Sequence, residues 1–141
     1  MKTFLRNLGA LLLGLVAGSV VNMGLILLSG KVIPPPAGAD VTTMEGLKAA
    51  IPLFEPRHFL FPFLAHALGT LAGATVTAAV STGRRLVYAL GVGAFFLAGG
   101  VANAFVLPGP LWFILADLCL AYLPMAWLGS RIAARPTKSV P

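Results

Sequence analysis

Charge is scarce in this chain. Of 141 residues, four are Asp or Glu and ten are Lys or Arg, and charged residues make up 10% of the whole. Soluble domains carry about 25% charged residues, so a chain with a mostly water-exposed surface is excluded. The single cysteine, Cys119, rules out an intramolecular disulfide. It also rules out thiol-redox four-helix membrane enzymes, which need cysteine pairs; its place inside an apolar run suits a small buried residue. Only two histidines occur, at no metal-ligand spacing, and no Cys-His or Ser-His-Asp arrangement marks a nucleophile beyond the generic pair His66 and Asp117. No cofactor and no metal are implied.

What remains is apolar. Hydrophobic residues are 58% of the chain and the mean hydropathy is +0.93. Long apolar stretches cover roughly 8–29, 59–81, 86–107 and 111–129, each about 19–23 residues and enough to cross a hydrocarbon core of about 30 Å. The expected fold class is an all-α membrane protein, a single domain over 1–141 built as a four-transmembrane-helix bundle. Lys2 and Arg6 before the first run resemble the start of a signal peptide. The run continues to Leu28, however, well past an h-region of about 7–15 residues, so it is read as a membrane helix.

The net charge of +6 and pI near 10.3 could suggest nucleic acid, but the positions of the charges point to topology. With the N-terminus inside, Lys2, Arg6, Arg84, Arg85, Arg131, Arg135 and Lys138 fall on the cytoplasmic side. Lys31, Lys48 and Arg57 fall outside, balanced by Asp40, Glu45 and Glu55. This is the positive-inside bias. It predicts both termini in the cytoplasm, a lipid bilayer as the main partner, and no nucleic acid.

The outer connection 30–58 is the one long loop. Pro34-Pro35-Pro36 leaves the first helix extended. "TTMEGLKAAI" then predicts a short amphipathic helix: Thr42 and Glu45 have capping-box spacing, and Met44, Leu47 and Ile51 share a face. Pro52 should stop it. "FEPRHFLFPF" opens the second long helix with Pro56 in the first turn and Glu55 at its positive end. Trp112 and Trp127 stand roughly 22 Å apart on the fourth helix, suiting two membrane interfaces.

Small residues predict the helix contacts. Ala10, Gly14, Gly18 and Asn22 form one stripe, and Ala65, Gly69, Gly73 and Thr77 another. Gly99, Gly100 and Asn103 mark the third helix. The fourth helix is bulkier and is expected at the periphery or against a protein partner, including a second copy. "AGSVVN" at 17–22 matches "AGGVAN" at 98–103, and "FLAHAL" at 63–68 matches "ILADLC" at 114–119. Duplication would make the bundle two parallel-repeat helical hairpins. Chance recurrence of common membrane residues is the rival account.

Asp117 is the unusual residue. A carboxylate at mid-helix costs roughly 2.5–3.5 kcal/mol on insertion scales, so it needs a partner. Counted from the outer helix ends, Asn22, His66, Asn103 and Asp117 all lie roughly 6–15 Å deep. His66 is therefore expected to pair with Asp117, with Asn22 and Asn103 completing the hydrogen bonds and Thr70 beside them. Glu55, Arg57 and His58 would form an entrance nearer the mouth.

"FEPRHFLFPFLAHALGTLAGA" and "WFILADLCLAYLPMAWLG" resemble small four-helix bacterial inner-membrane proteins that are themselves uncharacterised. The resemblance implies a bacterial inner membrane and brings no activity with it. Two functions fit the residues, the first preferred because a single polar layer leaves the inner half of the bundle closed. An accessory or scaffold protein would have a self-satisfied polar cluster and no cavity. A small homo-oligomeric carrier or binder of a polar or proton-linked ligand, using His66 and Asp117, would have a pocket reaching His66. An enzyme acting on a lipid or quinone is third.

Overall fold

A computed structural model describes residues 1–134; Arg135 and Lys138, placed above on the cytoplasmic side, lie outside the described residues. The elements are α1 (Lys2–Val32), α2 (Met44–Ala50), α3 (Leu60–Val80), α4 (Arg85–Val106), α5 (Leu111–Leu120) and α6 (Leu123–Ile132), with 3-10 turns at Ile51–Leu53 and Pro56–Phe59. No strand occurs among the described residues. Four spans are long and apolar enough to cross a membrane: Lys2–Val32, Pro56–Val80, Arg85–Val106 and Leu111–Ile132. One end of the bundle carries the 33–59 segment and the Leu107–Pro110 turn, and is called here the loop end. The other, the terminal end, carries Met1, the end of α6 and the Ser81–Arg84 turn.

The apolar runs locate the spans within a few residues, with two departures. α1 runs well past both expected limits, because neither Lys2 and Arg6 nor Lys31 interrupts helical backbone bonding. The fourth span is two helices. Ala121 and Tyr122 separate α5 from α6, and Tyr122 leaves the helical region at φ −116°, ψ −82°. Pro124, in the first turn of α6, has no N–H to continue the α5 ladder, and there the missing donor costs least.

α3 is the central helix, packed by α1 on one side and by α4 and α6 on the others. Its small residues meet those of α1 as their spacing predicts. A β-carbon on Gly73 would lie 2.6 Å from the Gly14 carbonyl oxygen, and one on Gly69 2.9 Å from that of Gly18. The backbones touch, and Thr77 Oγ1 donates to the Ala10 carbonyl at 3.1 Å. Between apolar helices in lipid, such close packing supplies the association that hydrophobic burial cannot. The far side of α3 repeats the device. A β-carbon on Gly129 would stand 2.9 Å from the Leu71 carbonyl, and one on Gly93 2.6 Å from the Ala126 β-carbon. α6 is thus wedged between α3 and α4 rather than peripheral. Bulky Trp127 and Leu128 had hidden the small face of Ala126 and Gly129 in the sequence. Cys119 is exposed rather than buried as its apolar run suggests, because α5 packs lightly on its neighbours and buries only Asp117.

Asn7 locks the terminal end. Its amide donates to the Thr82 carbonyl at 3.1 Å and the Tyr88 hydroxyl at 3.0 Å, and accepts from the Thr82 N–H at 2.8 Å. Arg6 adds a bond to the Val80 carbonyl at 2.9 Å. At the loop end α2 forms as expected, but its cap is Thr43, whose hydroxyl accepts from Gly46 N–H at 3.0 Å. Thr42 is committed to Asp40 instead, donating through its N–H and its hydroxyl to Oδ1. These bonds hold the Asp40 carboxyl below the usual carboxylate range. Pro52 ends the α-helix but the chain continues as a 3-10 turn, and Ile51 is buried beneath it.

The glycines of α1 separate packing from propensity. Alanine raises helix propensity by about 1 kcal/mol over glycine, so Gly24→Ala, where a β-carbon meets nothing, should hold or raise the melting temperature in detergent. Gly14→Ala should lower it, since its β-carbon runs into Thr77 and overpacking costs about 1–3 kcal/mol.

Candidate functional site

Asp117 lies in the last turn of α5 and is 4% exposed. Across from it on α3, His66 Nδ1 stands 2.8 Å from Oδ1 and 3.0 Å from Oδ2. With Asp117 as a carboxylate, Nδ1 carries the proton and donates it, which sets the tautomer. Nε2 makes no hydrogen bond to any described residue. The pairing expected from depth is therefore direct.

The third partner is not an asparagine. Tyr122 donates its hydroxyl to Asp117 Oδ2 at 2.9 Å and is 2% exposed. Its ring stacks on His66 with centroids 5.7 Å apart. A straight helix would not bring residues five apart together in this way; the turn at Ala121–Tyr122 does so. Gly100 on α4 makes room, because a β-carbon there would collide with the phenol. The spacing of Asp117 and Tyr122 around Pro124, together with the rule that a buried tyrosine hydroxyl seeks a partner, was the available signal.

Asn22 and Asn103 are level with the pair but make no hydrogen bond to it. They line a cavity of about 270 Å³ alongside, with Ser19, His66, Thr70 and Tyr122. Phe96 closes one side, and Gly69, Gly99 and Gly100 leave the space between α1, α3 and α4. Thr70 is 1% exposed, and its hydroxyl has no partner among the described residues. Each helix contributes through its own register: Ser19 and Asn22 three apart, His66 and Thr70 four apart, Gly100 and Asn103 three apart.

Toward the loop end a larger cavity of about 660 Å³ lies beneath α2. Met44 and Leu47 of α2 and Ile51 of the 3-10 turn after it line one side, and Phe59, Phe113 and Ile114 are among its apolar walls. Asp117 lines it too, and four residues, Asn22, His66, Gly100 and Asn103, line both spaces.

The expected entrance trio does not act together. Glu55 and Arg57 form an exposed ion pair at 3.0 Å, of a kind worth little in water. His58 is buried and points elsewhere. Its Nδ1 accepts the Glu55 N–H at 2.9 Å and its Nε2 donates to the Pro34 carbonyl at 3.2 Å. Phe54 stacks on the ring at 5.1 Å. His58 thus staples the proline segment to the start of α3, and lines only the larger cavity. No group of three or more His, Cys, Asp or Glu that could hold a metal gathers among the described residues.

Removing one member of the pair should cost more than removing both. Asp117→Leu leaves His66 and Tyr122 without their acceptor and should cost about 3 kcal/mol. Tyr122→Phe should cost about 1 kcal/mol. The double variant Asp117→Leu/His66→Leu should recover much of the Asp117→Leu loss in urea or thermal unfolding in detergent. Compared with known proteins, the chain matches no family profile, no curated protein and no solved structure.

Proposed function

We propose that the protein spans a membrane four times and binds a small ligand whose polar group occupies the cavity beside His66. One observation carries this. The cavity joins polar side chains from α1, α3 and α4, yet His66 Nε2 and the side chains of Ser19, Asn22 and Asn103 make no hydrogen bond to any described residue. Polar groups in apolar surroundings are seldom left so, because each costs about 1–3 kcal/mol. A cluster serving only to hold helices together would satisfy itself. The larger cavity under α2 gives a ligand room for a second, apolar portion, and the two volumes together suit small-molecule sites.

The setting follows from the charges. Lys2, Arg6, Arg84, Arg85 and Arg131 gather at the terminal end, while Lys31, Lys48 and Arg57 at the loop end are offset by acids. The positive-inside bias then puts the terminal end in the cytoplasm and the site in the outer half of the bundle. The resemblance to bacterial inner-membrane proteins makes that membrane the natural location. Duplication of a helical hairpin gains support from Asn22 with Asn103 on one cavity and His66 opposite Asp117, each pair at matching places in the repeat.

A scaffold role is favoured by a different observation: Asp117, His66 and Tyr122 satisfy one another and tie α3 to α5 and α6. Retained ligand distinguishes the two. Protein released from membranes in a mild detergent should show, by native mass spectrometry, a small non-protein adduct. Asn22→Leu and Asn103→Leu, which put apolar bulk into the cavity, should lose it. No adduct on wild type, or equal retention by the variants, would leave the scaffold role standing and sink the binding site.

A further inference from the structure

We infer that the ligand is a primary amine carried on an apolar body; this assignment rests on the binding site proposed above and names its occupant. The first ground is charge. Among the described residues, no lysine or arginine lines either cavity, and the one formal charge lining them is the Asp117 carboxylate, on the larger. A phosphate or carboxylate head would meet that charge with no cation to offset it, and charge burial without a partner is strongly disfavoured. An ammonium supplies the missing opposite charge.

Hydrogen bonding is the second ground. With Nδ1–H given to Asp117, the remaining ring nitrogen of a neutral His66 is an acceptor. Ser19 Oγ and the amide oxygens of Asn22 and Asn103 can accept as well. An ammonium brings three donors and no acceptor, and each of these groups can take one of its N–H bonds. The rings of Phe96 and Tyr122 border the same space and add attraction for a cation at their faces.

Shape completes the match. The polar space is about 270 Å³ and meets a mostly apolar one of about 660 Å³ through Asn22, His66, Gly100 and Asn103. A compact head with a longer apolar body fills both. A free small amine would leave the aromatic wall of Phe59 and Phe113, whose centroids are 4.8 Å apart, facing an empty volume.

Three probes with the same chain and different heads test this: dodecylamine, dodecanol and dodecyl phosphate. They are titrated against the full chain in nanodiscs of uncharged phosphatidylcholine, with the thermal midpoint as readout, since a ligand binding only the folded state raises it. Dodecylamine should bind roughly tenfold or more tightly than dodecanol, equivalent to about 1.4 kcal/mol, and dodecyl phosphate should give no shift. Asp117→Asn should abolish the preference for the amine, and Asn103→Leu should weaken amine and alcohol alike. Equal binding of amine and alcohol, or a preference for phosphate, overturns the amine while leaving the binding site. A wild type that responds to none of the probes, or an Asn103→Leu variant that responds as wild type does, overturns both. Should Asp117→Asn fail to fold, the head-group order on wild type and the Asn103→Leu response decide the matter alone.

Discussion

Asp117 is a carboxylate in an apolar span, and much of the molecule is arranged around keeping it in company. Its two oxygens are met by His66 from α3 and Tyr122 from beyond a helix break. Each partner in turn makes demands. Tyr122 reaches back only because the chain leaves the helical region there, and its phenol fits only because α4 has glycine at position 100. His66 can face α5 only while α3 keeps its register against α1. The local conformation of the last span and the glycine at position 100 of the preceding helix therefore depend on one buried carboxyl group.

Beneath that network the structure relies on contact between backbones. α3 touches α1 through Gly69 and Gly73, and touches α6 where Gly129 meets Leu71 and Thr75. Most of the large side chains of the described residues point away from the bundle, and the buried set is dominated by Ala, Gly and Thr. In hydrocarbon this is the expected division, because burying leucine against leucine gains nothing over leaving it in lipid. The same division explains how polar side chains come to share a cavity: where glycines thin the helices at 69, 99 and 100, space opens beside them.

Much of this was legible in the residues. Apolar run length placed the spans because a hydrocarbon thickness sets it, and four-residue spacing of small residues placed the α1–α3 contact because a helix repeats near that interval. Depth arithmetic brought His66 to Asp117. It could not bring Asn22 and Asn103 into the same network, since depth gives a level and says nothing about reach across a bundle. Tyr122 gives no such signal because an aromatic in an apolar run reads as packing, and the unbroken run 111–129 reads as one helix although the missing N–H of Pro124 permits a break. The place of His58 is hidden for a related reason. Being near an interface does not say which way a ring points, and here the carbonyl of Pro34 and the N–H of Glu55 claim both nitrogens.

The Asn7 latch has a consequence for what the molecule can do. It fastens α1 to the α3–α4 turn, and from Ala10 to Gly18 the two helices are in contact, Thr77 bonded across them. Nothing comparable holds α1 to α4 at the loop end, where the cavities lie. The bundle is thus a cup with a bolted floor. For the binding site proposed above, a ligand would come and go at the loosely held loop end rather than through the fastened one.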